Sequence, residues 1–252
     1  MVTRKSKREI EKMRIAGRIV AEVLALVQSE LKPGVTTGHL DRLAERHIRS
    51  SGAVPSFKGY GHRSNPFPAS LCISIDDEVV HGIPGDRAIR AGQIVSVDAG
   101  AIYDGWHGDG ARTFYVGEPS AEISELVDTT RLAMMAGIAA AVPGASLADI
   151  SGAIEDVATP GGYGIVRQFV GHGIGTEMHQ EPQVPNYRTG VRGMKLEPGI
   201  CLAIEPMLTL GDGEVAIRPD GWTVATVDGS LAAHFEHTIA VTDHGPEILT
   251  TV

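Results

Sequence analysis

Three shortages in the sequence each remove a class of protein. Only two of its 252 residues are cysteine, Cys72 and Cys201. Two thiols cannot form the disulfide framework of a small secreted domain, so a reducing compartment is expected. Long apolar runs are missing too, since a membrane span needs roughly 18 consecutive residues. The stretch IVAEVLALV at 19–27 is crossed at helical spacing by Arg14, Arg18 and Glu22. No small-residue cleavage site follows it, which argues against a signal peptide. Positive charge is the third shortage: 22 Lys and Arg stand against 31 Asp and Glu, a net charge of −9. A phosphate-binding surface needs the opposite balance, so nucleic acid is not the expected main ligand. One local exception exists, because Arg4, Lys5, Lys7, Arg8, Lys12, Arg14 and Arg18 crowd the N-terminus. They form either a solvated helix face or a contact for a polyanion such as ribosomal RNA. The expectation is a soluble, cytoplasmic protein with no membrane contact.

What is present is a core-forming chain, 42% apolar, with clear helix punctuation. Ser6-x-x-Glu9 is a capping box, and Ile10, Met13, Gly17, Val20, Leu24, Val27 and Leu31 follow at spacings of three and four until Pro33-Gly34. Further helices are expected over about 37–50, between Pro119 and Pro143-Gly144, and after the box Ser146-x-x-Asp149. Strand-like runs lie at 70–75, 93–103, 111–117, 199–208 and 234–242. The class is α+β. The chain also repeats itself. KPGVTTGHL (32–40) aligns with VPGASLADI (142–150) at an offset of 110, and GQIVSVD (92–98) with GICLAIE (199–205) at 107. Asp98 then falls on Glu205, so each half ends a strand in a carboxylate. A single domain of two similar halves, about 1–118 and 119–252, would bring these carboxylates together.

The chemistry gathers around them. Asp104-Gly105 between two strand patterns is a hairpin signal, and a turn there sets Asp98 opposite Ala111. Asp98 and Asp109 become diagonal neighbours on one face, with α-carbons roughly 7–8 Å apart. Two buried carboxylates stay ionised only with a cation between them. Glu205 ends an apolar strand before Pro206, Glu236 lies in HFEHTIAV, and His172 stands between glycines in GHGIGTEMHQEPQV (171–184). Four carboxylates and one imidazole suit two divalent ions about 3.5–4 Å apart. The glycines do not make a phosphate loop, because no helix pattern follows them. Clearance around His172 is the expected use.

Taken together, SLCISIDDEVVHGIPG, VDAGAIYDGWHGDGARTF, GHGIGTEMHQEPQVP, LEPGICLAIEPM and EHTIAVT resemble the type I methionine aminopeptidases over essentially the whole chain. The resemblance implies a pita-bread fold, two pseudo-symmetric αβ halves around a dinuclear metal site. It implies that Asp98 chelates one divalent ion (cobalt, manganese, iron, zinc or nickel), that His172 and Glu205 bind the other, and that Asp109 and Glu236 bridge them. It implies that His81 contacts the scissile amide nitrogen, that His179 bonds the substrate carbonyl oxygen, and that Glu205 shuttles the proton. Phe57, Tyr60, Phe67, Cys72, Met178 and Trp222 would surround the methionine side chain of a nascent peptide. The implied enzyme is monomeric, without N-terminal extension. Departures from the family pattern are a longer loop at 61–68, Met178 for Phe, Gly110-Ala111 for Thr or Ser, and Asp76 for Asn. Two other readings remain. An X-Pro pita-bread peptidase would carry a large N-terminal domain, for which a first helix starting by residue 7 leaves no room. A non-catalytic pita-bread binding protein would have lost metal ligands.

Overall fold

The helix signals act where they stand. In a computed structural model, which describes residues 2–252, the Ser6 amide donates to Glu9 Oε2 at 2.7 Å and the Glu9 amide donates to Ser6 Oγ at 3.4 Å. Helix α1 (Lys7–Glu30) follows, then α2 (Thr37–Ser50), which starts on the Thr36 hydroxyl accepting from the His39 amide. Strands β1 (Val54–Pro55), β2 (Leu71–Ile75), β3 (Glu78–Val80), β4 (Ile94–Tyr103) and β5 (Trp106–Tyr115) come next. The order then begins again with α3 (Ala121–Ala140) and α4 (Leu147–Ala158). Strands β6 (Gly164–Ile165), β7 (Gly171–Gly173), β8 (Gln180–Val184), β9 (Cys201–Ile204), β10 (Met207–Thr209), β11 (Val215–Ile217), β12 (Val224–Thr226), β13 (Ala232–His234), β14 (His237–Thr242) and β15 (Gly245–Ile248) complete the described chain.

β4 and β5 form the expected hairpin, with Asp98 opposite Ala111 and Gly100 opposite Asp109. Its turn residues Asp104 and Gly105 both have positive φ, 47° and 80°, which matches the twist of the flanking strands. β4 also pairs with β1 and β2. In the second half β9 and β14 are the equivalent pair, within a sheet ordered β15-β14-β9-β7-β8. Helices α1 and α2 cover the first sheet, with Val20, Leu24, Leu40 and Ile48 against Ile73, Val95 and Val97. Helices α3 and α4 cover the second, with Leu126, Ile138, Ile150 and Ile154 against Leu202, Ile204 and Ile239. Each such side chain contributes roughly 1.5–3 kcal/mol by burial. Where α1 crosses β5 the strand has no room for a side chain: a Cβ on Gly108 would lie 2.6 Å from the Gly17 amide nitrogen.

The sequence repeat recurs as bonding. The isolated bridge between Thr36 and Ala88 returns as Ser146 and Lys195. The Gly34 amide donates to the Ile89 carbonyl and the Gly144 amide to the Leu196 carbonyl, both at 2.8 Å. Ala111 faces Asp98, and one step beyond the Ile204–His237 pair Glu236 faces Glu205. The repeat therefore maps Ala111 onto Glu236. These two residues also bond directly: the Glu236 amide donates to the Ala111 carbonyl at 2.9 Å, and the Ala111 amide donates back at 3.3 Å. Such reciprocal bonding is what a local twofold relation would produce.

Two runs that read as single strands are each broken at a carboxylate. The stretch 199–208 divides into β9 and β10 because Pro206 has no N–H for the ladder. The stretch 234–242 divides at Phe235-Glu236, where the backbone leaves its own sheet to pair with Ala111. The run expected over 111–117 begins earlier, at Trp106.

Candidate metal centre

Each carboxylate enters the centre from a position fixed by strand pairing. Asp98 and Asp109 project from one face of the β4–β5 hairpin. The Asp109 backbone is held by one hydroxyl: its amide donates to Thr238 Oγ1 at 3.0 Å, and Thr238 Oγ1 donates to its carbonyl at 2.7 Å. Glu205 follows β9 and Glu236 precedes β14, so the pairing of the two halves carries both toward Asp109. His172 lies in β7, between β8 and β9. The glycines beside it serve a different purpose from the one expected. A Cβ on Gly171 would lie 2.4 Å from the Ala203 carbonyl oxygen, and one on Gly173 would lie 2.2 Å from that of Glu181. The space they leave is filled by the neighbouring strands rather than by a ligand, and that close packing sets the position of the His172 ring.

One oxygen of each carboxylate in this cluster lacks a partner. Asp98 Oδ1, Asp109 Oδ1, Glu205 Oε1 and Glu236 Oε1 are buried and join no hydrogen bond, whereas most buried polar side-chain atoms have one. Ligating atoms of Asp109, His172 and Glu236 lie within 4.8 Å of one another. The His172 Nδ1–H donates to the Gly173 carbonyl at 2.9 Å, which leaves the Nε2 lone pair facing the carboxylates, 3.3 Å from Glu205 Oε1. Burial pushes all four carboxyl groups up, Asp98 to about 7; repulsion from Asp98 and Glu205 raises Asp109 further. Burial pushes His172 down to about 3, so the ring is neutral and able to ligate. Four carboxylates balance the charge of two divalent cations, and oxygen donors with one imidazole suit such ions. The residues fit a divalent metal centre.

The thirteen candidate residues line one cavity of about 750 Å³, within the usual range of roughly 300–1,000 Å³ for small-ligand sites. Phe57, Phe67, Cys72 and Met178 cluster at its apolar end, with Trp222 against them. The longer loop at 61–68 does not displace Phe67, which is 2% exposed and packs edge-on to Trp222 with centroids 5.2 Å apart. Tyr60 stands at the rim, its hydroxyl 2.5 Å from His179 Nδ1. His81 follows β3 with φ of 60° and is held edge-on by Phe169 at 5.5 Å and Trp222 at 6.2 Å. Burial lowers His81 to about 4, so it acts as a neutral ring. Asp76, the replacement for Asn, takes the same left-handed backbone at φ 60° and accepts from the Gln93 side chain at 2.6 Å.

Phe169 and His234 are among the cavity residues that escaped the sequence reading. Phe169 packs on His81, and its only signal was an aromatic three residues before His172. His234 lines the cavity with a buried Nε2 that has no partner. It was visible in HFEH but overshadowed by Glu236.

A cage of partnerless carboxylates at the bottom of a cavity is the equipment of a metal-dependent hydrolase. The sequence pattern of metallopeptidase family M24 matches residues 11–243. The chain is 52% identical to the methionine aminopeptidase of Clostridium acetobutylicum over 99% of both chains. It superposes on the crystal structure of the Thermotoga maritima methionine aminopeptidase with a TM-score of 0.96, at 43% identity over 100% of both chains. It therefore belongs to metallopeptidase family M24, in the methionine aminopeptidase branch, and has the family's α+β pita-bread fold. The prolidase of Pyrococcus furiosus shares the fold alone, at 23% identity and a TM-score of 0.79, and this chain spans 65% of its length.

Proposed function

We propose that this chain removes the N-terminal methionine from nascent peptides whose second residue is small, acting in the cytoplasm as a monomer with two divalent ions. The observation that carries this reading is the single cavity that joins a sulfur- and aromatic-lined end to four partnerless carboxylates. Asp98 would hold one ion, His172 and Glu205 the other, with Asp109 and Glu236 shared. When bound, the ions would polarise the scissile carbonyl and lower the pKa of a water.

The chain's own groups do the rest. Phe57, Phe67, Cys72, Met178 and Trp222 enclose a thioether side chain, for which soft sulfur and aromatic edges are suited. His81, clamped between two aromatic rings, offers a neutral nitrogen to the scissile amide. His179 hydrogen-bonds the carbonyl oxygen and its tetrahedral successor. A Glu205 carboxylate oxygen takes a proton from the attacking water and delivers it to the leaving amine.

The second side chain of the substrate would point toward the rim, away from the apolar end. A large branch there moves the carbonyl, and about 1 Å of misplacement costs roughly 10²-fold in rate. The test is a series of Met-X-Ser peptides compared by kcat/KM. Gly, Ala, Ser, Thr and Val at X should be cleaved, and Leu, Lys, Glu and Phe refused. Equal rates for Ala and Leu would overturn the reading.

A further inference from the structure

Tyr60 belongs to the loop between β1 and β2, and His179 stands at the head of β8, 119 residues away. Their side chains meet across the cavity mouth. The phenolic oxygen is 2.5 Å from His179 Nδ1, with the rings tilted by 59° and centroids 5.2 Å apart. Among the described residues His179 is the only group to which this hydroxyl bonds. A wall residue of an apolar pocket has no need of a hydroxyl, so the bond calls for its own account.

A phenol keeps its proton at neutral pH, and burial raises the Tyr60 pKa further. A neutral imidazole has one donor and one acceptor nitrogen. A phenol that donates to Nδ1 therefore places the ring proton on Nε2. His172 has the opposite arrangement, because its Nδ1–H donates to the Gly173 carbonyl and its Nε2 is left as a lone pair. The two rings lie only 4.3 Å apart. With the phenol as donor, one ring would be set to accept a cation and its neighbour to present an N–H.

We infer that Tyr60 is a positioning residue that fixes His179 as the Nε2–H tautomer, so that His179 donates to a substrate carbonyl oxygen and does not compete with His172 for metal. The use of that N–H rests on the aminopeptidase reading above, whereas the tautomer itself does not. The hydroxyl also ties the 56–69 loop to β8, so that the pocket wall and the hydrogen-bond donor are placed by one contact.

Tyr60→Phe keeps the aromatic wall and removes only the hydroxyl. In the metal-loaded enzyme kcat on a Met-Ala-Ser peptide should fall about 3- to 10-fold, the size of one hydrogen bond, with KM little changed. Tyr60→Ala should raise KM as well, because it removes the wall. Nitrogen-15 NMR of histidine-labelled protein, metal-free and zinc-loaded, reads the tautomer without any turnover. Wild-type His179 should show a pyridine-type Nδ1 and a pyrrole-type Nε2, and Tyr60→Phe should move both signals toward a mixture. A wild-type ring protonated on Nδ1 would overturn the inference, as would a Tyr60→Phe variant with unchanged kcat and unchanged nitrogen signals. If the nitrogen signals behave as expected but the wild type cleaves no methionyl peptide, the functional reading fails and the tautomer stands.

Discussion

His172 and His179 show how much a residue's role depends on bonds that its sequence position hides. Both lie in one glycine-rich stretch, seven residues apart. Family resemblance separates a ligand from a hydrogen-bond donor, but composition and spacing do not. The bonds that set the two rings differently come from Gly173 and from Tyr60, and the second partner is 119 residues away. His179→Ala should therefore lower turnover by roughly 10²–10³, the usual cost of one oxyanion contact, with metal content unchanged by elemental analysis. Loss of metal in that variant would make His179 a ligand. The acidic members were more legible, because Asp98 and Asp109 are fixed by a two-residue turn and strict alternation. Phe169 was not legible, since only the fold puts it beside His81, and His234, though visible in HFEH, gave no sign that it lines the same cavity.

The elements that carry these residues were readable wherever a local rule governs them. Ser6, Thr36 and Ser146 start helices as their side chains require, and Asp104-Gly105 fixes the register of β4 and β5. The break at Phe235 was hidden because pairing with the distant Ala111 decides it, whereas the one at Pro206 follows from a local rule, the missing N–H. The crossing of α1 over β5 is another long-range constraint. Gly108→Val would drive a side chain into the Gly17 backbone and should destabilise the protein by about 1–3 kcal/mol or more, as read by denaturant unfolding. Helix α2 grips the start of β2 through Asp41, whose Oδ1 accepts from the Ser70 and Leu71 amides at 2.8 and 2.9 Å. Burial nevertheless raises the Asp41 pKa. A carboxyl raised on folding contributes stability that is present below the unfolded value near 4 and lost as pH rises through the folded value. Asp41→Asn keeps both acceptor bonds without the charge. It should match or exceed the wild type in thermal stability at pH 7, and its advantage should shrink as the pH approaches the unfolded value.

At the scale of the whole molecule the basic and acidic clusters have different fates. The basic N-terminus is largely answered by the fold: Arg4 meets Glu197, Lys12 meets Asp104, Arg14 meets Glu247 and Arg18 meets Glu22. Lys5 is buried. Among the described residues Lys7 and Arg8 join no ion pair. The opposite charge is concentrated in the cage, where burial holds the carboxyl groups above the ordinary range. Raised carboxyls favour the metal-free fold at low pH and oppose it as pH rises, whereas cations bind the deprotonated form. Chelation should abolish hydrolysis and lower the melting temperature. Returning the metal should release protons, measured by calorimetry in buffers of different ionisation enthalpy, and its stabilising increment should diminish below about pH 7. An increment that does not change with pH would contradict the carboxylate cage. The reciprocal bonds between Ala111 and Glu236 give this cage one more property. In an oligomer such a self-complementary contact would be an isologous subunit interface, and here both of its sides belong to one polypeptide. Asp98 and Asp109 stand on one side, and His172, Glu205 and Glu236 on the other. The proposed ions would thus be held like metals between subunits whose dissociation a covalent tether prevents, and neither half of the chain could assemble the site without its counterpart.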